Sequence, residues 1–289
     1  MTDTVVGLDR GWSGLRARLQ QADPKYFMLF LITLVLVVGQ ARYSILGGYD
    51  RLAMTLGVCM ATELALSWFL RGKAPSLQSA YVSGISLALL TKPQGSLLWP
   101  FALGGFLAIA SKYVLQYRGR HLWNPSNFAI SVLLLVAPSR IAVLSHQWGN
   151  EIWTNAIIWT IGLVIVSRAG VLHVTLAYVA SFLALALVRS HIVGAPLLPE
   201  IAPITGPMYQ LFAFFMVTDP RTTVRSWRGR IGVVMVVALV EASIRLAAEY
   251  HVALPRALAA SPPILALAIV GPIAMWIDLH RARAAPEAR

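Results

Sequence analysis

Apolar residues run along this chain in long blocks, and the polar residues between them come in short, mostly basic clusters. A block of about 20 apolar residues can cross a bilayer as a helix. The pattern predicts spans near residues 26–46, 52–70, 76–91, 98–117, 125–143, 152–167, 169–188, 203–218, 229–248 and 262–279. Nowhere does a strand pattern of period two stand out. The expected fold is an all-α polytopic membrane protein of about ten transmembrane helices.

The third and eighth blocks are the shortest, and glycine or proline interrupts both. The third begins near Ser83-Gly84 and ends Thr91-Lys92-Pro93. The eighth begins Thr205-Gly206-Pro207 and ends Thr218-Asp219-Pro220. Each is the third of five in its half, and five is odd, so the halves run in opposite directions. Short, broken segments at matching places predict two inverted five-helix repeats with a site at their interface. Weaker echoes join Ala110-Ser111-Lys112 to Ala242-Ser243-Ile244-Arg245, and Gln116-Tyr117 to Glu249-Tyr250. The expected organisation is an N-terminal segment (1–25), a first repeat (26–144), a second (145–280) and a tail (281–289).

Composition sharpens this reading. Of 289 residues, 57% are hydrophobic and 12% charged, against about 25% charged in soluble domains. The net charge of +12 would suit nucleic acid, but the basic residues sit at the ends of apolar blocks. The positive-inside rule accounts for them, with both termini in the cytoplasm and the chain in the inner (cytoplasmic) membrane. The lipid bilayer is then the first partner, and nucleic acid is none. The single cysteine, Cys59, offers no intrachain disulfide and no pair for zinc or iron–sulfur. The first 25 residues lack a signal-peptide pattern; Trp12, Leu15 and Leu19 fit a short amphipathic helix there.

Two stretches carry a resemblance. "FFMVTDPRTTVRSWRGR" (Phe214 to Arg230) resembles the segment after the eighth span in the RnfD/NqrB family. "GRHLWNPSNFAI" (Gly119 to Ile130) resembles that family's approach to its fifth span. The resemblance implies an integral membrane subunit that carries electrons through flavins. Studied members hold FMN covalently on a threonine of a Ser-Gly-Ala-Thr motif, and another flavin non-covalently near the cytoplasmic face. No "SGAT" or "SGAS" occurs here, and "SHQWGNE" (Ser145 to Glu151) has no threonine. Ser83-Gly84 and Thr205-Gly206 are imperfect echoes, so covalent FMN is not carried over. The chain is similar to the compact members, with riboflavin or FMN bound non-covalently and ion pumping left open. A cytoplasmic redox donor protein or domain, and further membrane subunits, are the implied partners.

The residues themselves have plainer readings too. Pro125 suits the first turn of a helix and Asn124 its N-cap. Yet a cap needs one side chain, and Trp123, Asn124 and Asn127 bring an indole and two amides. Amides both donate and accept, which matches the edge of a flavin ring, and an indole can stack on its face. Asp219 suits a pair with Arg221 or Arg225, or a cap on a following turn. Pro220 also frees carbonyls of the preceding turn, which with Asp219 and Thr218 suit a cation or a hydroxyl-rich ligand. Lys92, the counterpart on the opposite face, suits an anionic group. Ser83 and Thr205 complete the candidate cofactor-binding set. Glu63 and Glu241 lie inside apolar blocks, where an ionisable residue is a functional candidate. Glu241 is expected to pair with Arg245 one turn on; no partner is evident for Glu63. Only His173 sits well within a span, which argues against a bundle holding two haems. Without a nucleotide-binding loop, this is no stand-alone NAD(P)H enzyme. The reading is a flavin-binding electron-transfer subunit; the alternative on the same fold is a small-molecule or ion transporter.

Overall fold

The computed structural model describes residues 24–93, 95–143 and 151–284. The Trp12, Leu15 and Leu19 stretch, the connection 144–150 and the last residues of the tail lie outside them. The described chain is helical: α1 (Pro24–Tyr43), α2 (Tyr49–Arg71), α3 (Gln78–Leu90), α4 (Trp99–Val114), α5 (Pro125–Val136), α6 (Ile152–Arg168) and α7 (Leu172–Val193). There follow α8 (Leu197–Ile201), a 3-10 turn (Ala202–Thr205), α9 (Pro207–Leu211) with a π turn (Phe212–Met216), α10 (Trp227–Glu249), α11 (Arg256–Ala260) and α12 (Pro262–Ala284).

Helices α2, α7, α10 and α12 are long and apolar enough to cross a membrane, and α1, α3, α5 and α6 are shorter apolar helices. Only 22–44% of each long apolar window is buried inside the protein. The outward remainder includes Leu64, Leu183, Leu239 and Ile273. Water does not tolerate so large an apolar surface on a monomer; hydrocarbon matches it, and helices satisfy their own backbone there. Exposed Trp68, Trp153 and Trp227 stand near helix ends, where interfacial tryptophans anchor. This is the architecture of an all-α membrane protein.

Helices fall where the apolar blocks predict them, with corrections. The third is not broken: α3 runs unbroken through Gly84, where an added Cβ would lie 2.8 Å from Leu56 Cδ2 and 3.4 Å from its Cα. Gly84 thus lets α2 approach rather than stopping a helix. The fifth is shorter than predicted, ending at Val136, because Ile141–Val143 form a strand. The seventh runs on through Arg189 to Val193, since Arg189 is paired with Glu200 rather than sitting in a loop. The eighth is broken as expected. Its π turn sends the Val217 N–H to Phe212 O at 3.1 Å. Thr175 Oγ1 donates to Ala213 O at 3.0 Å and Thr218 Oγ1 to Phe214 O at 2.6 Å, so hydroxyls occupy carbonyls that a π turn displaces.

Four short strands correct the all-helical expectation: β1 (Thr91–Pro93), β2 (Gln116–Tyr117), β3 (Arg120–His121) and β4 (Ile141–Val143). They pair antiparallel, β2 with β3 and β1 with β4. The β2–β3 hairpin marks one end of the molecule and the β1–β4 ribbon the other. Between them α2 packs on α3 and α4, α7 on α10, and α10 on α12. The core joins Ile85, Leu89, Ile109 and Ile130 to an aromatic group of Tyr178, Phe212 and Phe214. In lipid such packing gains from close contact more than from dehydration.

Candidate functional site

The site is built from the β2–β3 hairpin downward. Arg118 and Gly119 both have positive φ, 53° and 73°, as a two-residue type I′ turn requires. The hairpin grips two other segments. Tyr117 stacks on His280 with ring centroids 5.3 Å apart. Arg118 donates to Leu279 O at 2.9 Å, and Arg120 to Pro220 O at 2.6 Å and Thr223 O at 3.0 Å.

Below the hairpin the chain sinks along α12. Trp123 Nε1 donates to Ala268 O at 2.9 Å. Pro272 lies inside α12, and its missing N–H would have served that same carbonyl four residues back. Asn127 Nδ2 donates to Ile264 O at 2.8 Å. From Leu279 to Ala268 a helix descends roughly 16 Å at about 1.5 Å per residue. The start of α5 therefore lies about three turns along α12 from the hairpin's contact, with Asn124 half-buried and Ser126 and Asn127 buried. Asn124 caps it: Oδ1 accepts from Asn127 N at 3.1 Å, with Pro125 in the first turn.

Asn124 is also where the two sequence motifs meet. Its Nδ2 donates to Asp219 Oδ2 at 3.2 Å, across 95 residues of chain. Asp219 in turn accepts from Thr222 Oγ1 at 3.1 Å and from the Arg221 N–H at 3.0 Å. The last contact closes a turn two residues on, a common use of aspartate. Of the pairings expected for Asp219, the turn is present; Arg225 instead joins Asp278 at 3.2 Å.

Trp123, Asn124, Asn127, Thr218 and Asp219 are thus brought together or stand next in chain to those that are. The other candidates are not. Ser83 is buried in α3; Lys92 is exposed on β1, at the ribbon end. Thr205 Oγ1 bonds Ala202 O within its own turn, at 2.7 Å. The indole N–H of Trp123 and the amide donors of Asn124 and Asn127 are engaged within the protein, so these groups hold the frame. Among the described residues, enclosed and unpartnered polar atoms on the segments that build this region include His121 Nδ1, Ser131 Oγ and Ser261 Oγ. Ser131 lies one turn beyond Asn127 on α5, and Ser261 just before Ile264. Burial pulls the His121 pKa below its ordinary value, Asp219 opposing. Sequence reasoning missed Arg120 and His121, although "GRHLWNP" contains both. It missed the link from Trp123 to Pro272, for which a proline inside an apolar block was the signal.

Each half also buries a carboxylate. Glu63, for which the sequence offered no partner, accepts from Lys112 Nζ at 3.3 Å and from Tyr113 OH at 2.8 Å. Lys112, expected near a span end, is therefore a buried ion-pair residue; its Nζ also reaches Ser79 Oγ at 2.9 Å. Glu241 pairs with Arg245 at 3.0 Å as expected, and accepts from Tyr178 OH at 2.8 Å and from Tyr209 OH.

No protein-family model and no curated protein matches the chain.

Proposed function

We propose that the chain is a flavin-binding membrane protein of the RnfD/NqrB type, passing electrons from a cytoplasmic donor. Ten spans form two inverted five-helix repeats in the inner membrane, with the hairpin end and both termini on the cytoplasmic side. Several features support the repeat. The second and fourth spans, α2 and α4, pack together, as do the seventh and ninth, α7 and α10. The Glu63 cluster lies toward the hairpin end and the Glu241 cluster toward the ribbon end, as inversion requires.

One observation carries the functional reading: the Asn124–Asp219 hydrogen bond. It joins the two stretches on which the resemblance rests, bringing Gly119–Ile130 against the turn that follows the eighth span. A flavin, riboflavin or FMN, would be held non-covalently beside Trp123, Asn124, Asn127 and Asp219. A flavin supplies two-electron acceptance with one-electron release. The protein's part is to hold the ring, exclude water and set its potential. Purification in mild detergent tests this. Yellow protein that releases a flavin on denaturation is the expected result, with the flavin lost in the Asn124→Ala/Asp219→Ala double variant. Colourless protein overturns the proposal.

A transporter is the second reading, favoured by the π turn that breaks the eighth span, since broken helices in inverted repeats also build transporters. It predicts substrate uptake by proteoliposomes with no electron donor present.

A further inference from the structure

At the hairpin end, three arginines are tethered to one loop. Arg120 of β3 donates through Nη2 to Pro220 O at 2.6 Å and to Thr223 O at 3.0 Å. Arg230, in the first turn of α10, donates through Nε to the next carbonyl, Val224 O, at 3.0 Å. Arg225 follows in the chain and holds Asp278 of α12 through Nε at 3.2 Å. Consecutive Cα atoms are about 3.8 Å apart. Carbonyls on Thr223 and Val224, with Arg225 beside them, therefore gather the three guanidiniums along one short stretch of loop.

The cluster is short of negative charge. Among the described residues, no carboxylate lies within ion-pair distance of Arg120 or Arg230, and Asp278 pairs with Arg225 alone. Asp219 is occupied by Asn124, Thr222 and the Arg221 N–H. Burial, and after it the like charge of Arg225, pull the Arg120 pKa down; Asp278 opposes them and Arg230 adds to them. A guanidinium carries five N–H donors in a planar fork, and the carbonyl bonds of Arg120 and Arg230 use one nitrogen of each. Their other nitrogens are not enclosed. An arginine present only for topology is free to spread into water. These are fixed on one edge and open on the other, which suits the oxygens of a phosphate.

Hydrocarbon lies next to them. Helix α10 is long and apolar enough to cross a membrane, and it opens on Trp227, 58% exposed, as interfacial tryptophans are placed. Arg228, Gly232, Met235 and Leu239 follow at a spacing that puts them on one face of α10. All four are exposed, and Gly232 has open space around it. An apolar track thus runs down the helix from its basic end. An acidic protein would use the charge and leave the track unused; a phospholipid uses both.

We propose that Arg120, Arg225 and Arg230 form a binding site for an anionic glycerophospholipid, its phosphate on the guanidiniums and an acyl chain along the Arg228–Leu239 face of α10. The proposal rests on the membrane fold and is independent of the flavin reading. The bound lipid neutralises the crowded charge and braces the hairpin against the loop that carries Asp219.

Purified protein in a neutral detergent is titrated with phosphatidylglycerol and, separately, with phosphatidylcholine of the same acyl chains, and binding is read by native mass spectrometry. Each arginine at a membrane surface strengthens binding of an anionic lipid by on the order of 5-fold. Phosphatidylglycerol should therefore bind about 10-fold or more tighter than phosphatidylcholine, with the preference lost in Arg120→Gln/Arg230→Gln. It should survive in Arg140→Gln/Arg256→Gln, which removes two exposed arginines beyond the far ends of α5 and α10. Equal binding of the two lipids, or equal loss in the two double variants, overturns the proposal. Displacement of the lipid by an equal concentration of glycerol phosphate, or of a polyglutamate peptide, overturns it too, in favour of a bare anion site or an acidic protein partner. Asp278→Asn tests it with the arginines intact. Freeing Arg225 of its carboxylate should tighten phosphatidylglycerol by about threefold or more, a gain that general damage to the fold does not produce. Unchanged or weaker binding in Asp278→Asn overturns the proposal, even where Arg120→Gln/Arg230→Gln fails to fold.

Discussion

At the scale of single residues, the pairing of Trp123 with Pro272 is the most instructive contact. Proline removes an N–H from the helix interior, and an indole 149 positions earlier (272 − 123) supplies one in its place. Trp123→Phe keeps most of the ring and removes only the donor, leaving Ala268 O unserved. We expect a loss of about 1–3 kcal/mol in detergent unfolding experiments. Pro272→Ala restores the backbone donor, so in that background Trp123→Phe should cost much less. Equal costs in both backgrounds would refute the account. The sequence displayed both residues, but nothing in spacing or periodicity joins them. The same holds for Glu63, whose partner Lys112 stands 49 residues away. Glu241 was legible because Arg245 lies one helical turn on, within local rules.

Among the elements, the broken eighth span depends on one small neighbour. A Cβ added at Gly162 of α6 would lie 2.4 Å from the ring of Phe214, which sits in the π turn. Phe214 also meets Trp159 edge-on, with centroids 4.9 Å apart. Gly162→Ala should therefore push the ring and disturb the turn, at about 1–3 kcal/mol. Gly232 of α10 has open space around it. Gly232→Ala should be neutral or stabilising by up to about 1 kcal/mol. Comparing the unfolding midpoints of the two variants checks this; similar destabilisation in both contradicts it. Helix positions were legible because long apolar blocks need no partner to be recognised. The hairpin was not, since two-residue strands are too short to show a period. Gly84 misled because a glycine that permits close approach looks in sequence like one that ends a helix.

Across the whole molecule, the ion pairs Glu63–Lys112 and Glu241–Arg245 show how one truncation differs from two. Glu63→Gln leaves Lys112 buried without its counter-ion, and should cost about 3–5 kcal/mol; Glu63→Leu with Lys112→Leu should cost far less. A double variant as unstable as the single one would count against the pair. At the ribbon end, Glu151 joins α6 to α1. It accepts from Tyr43 OH and from Arg42, each at 2.9 Å. The Tyr43 hydroxyl first, and Arg42 after it, hold the Glu151 carboxyl below its ordinary 4.5. A lowered carboxyl pKa stabilises the fold fully above that value, and the contribution fades as pH falls through the lower folded one. The gap in melting temperature between parent and Glu151→Gln should therefore narrow on acidification below 4.5. A constant gap would show that the charge is not involved.

The descent of the Trp123–Asn127 segment along α12 has a consequence for how the protein is made. Asn127 must wait for Ile264, 137 residues later. At about 5–20 residues per second of synthesis, that delay is roughly 7–27 s. Throughout it, the native acceptors of an indole N–H and an amide that the finished fold ties down are not yet part of the nascent chain. The ribosome thus exposes this polar knot long before it supplies the helix that closes it. A chain interrupted before α12 is left with these contacts open.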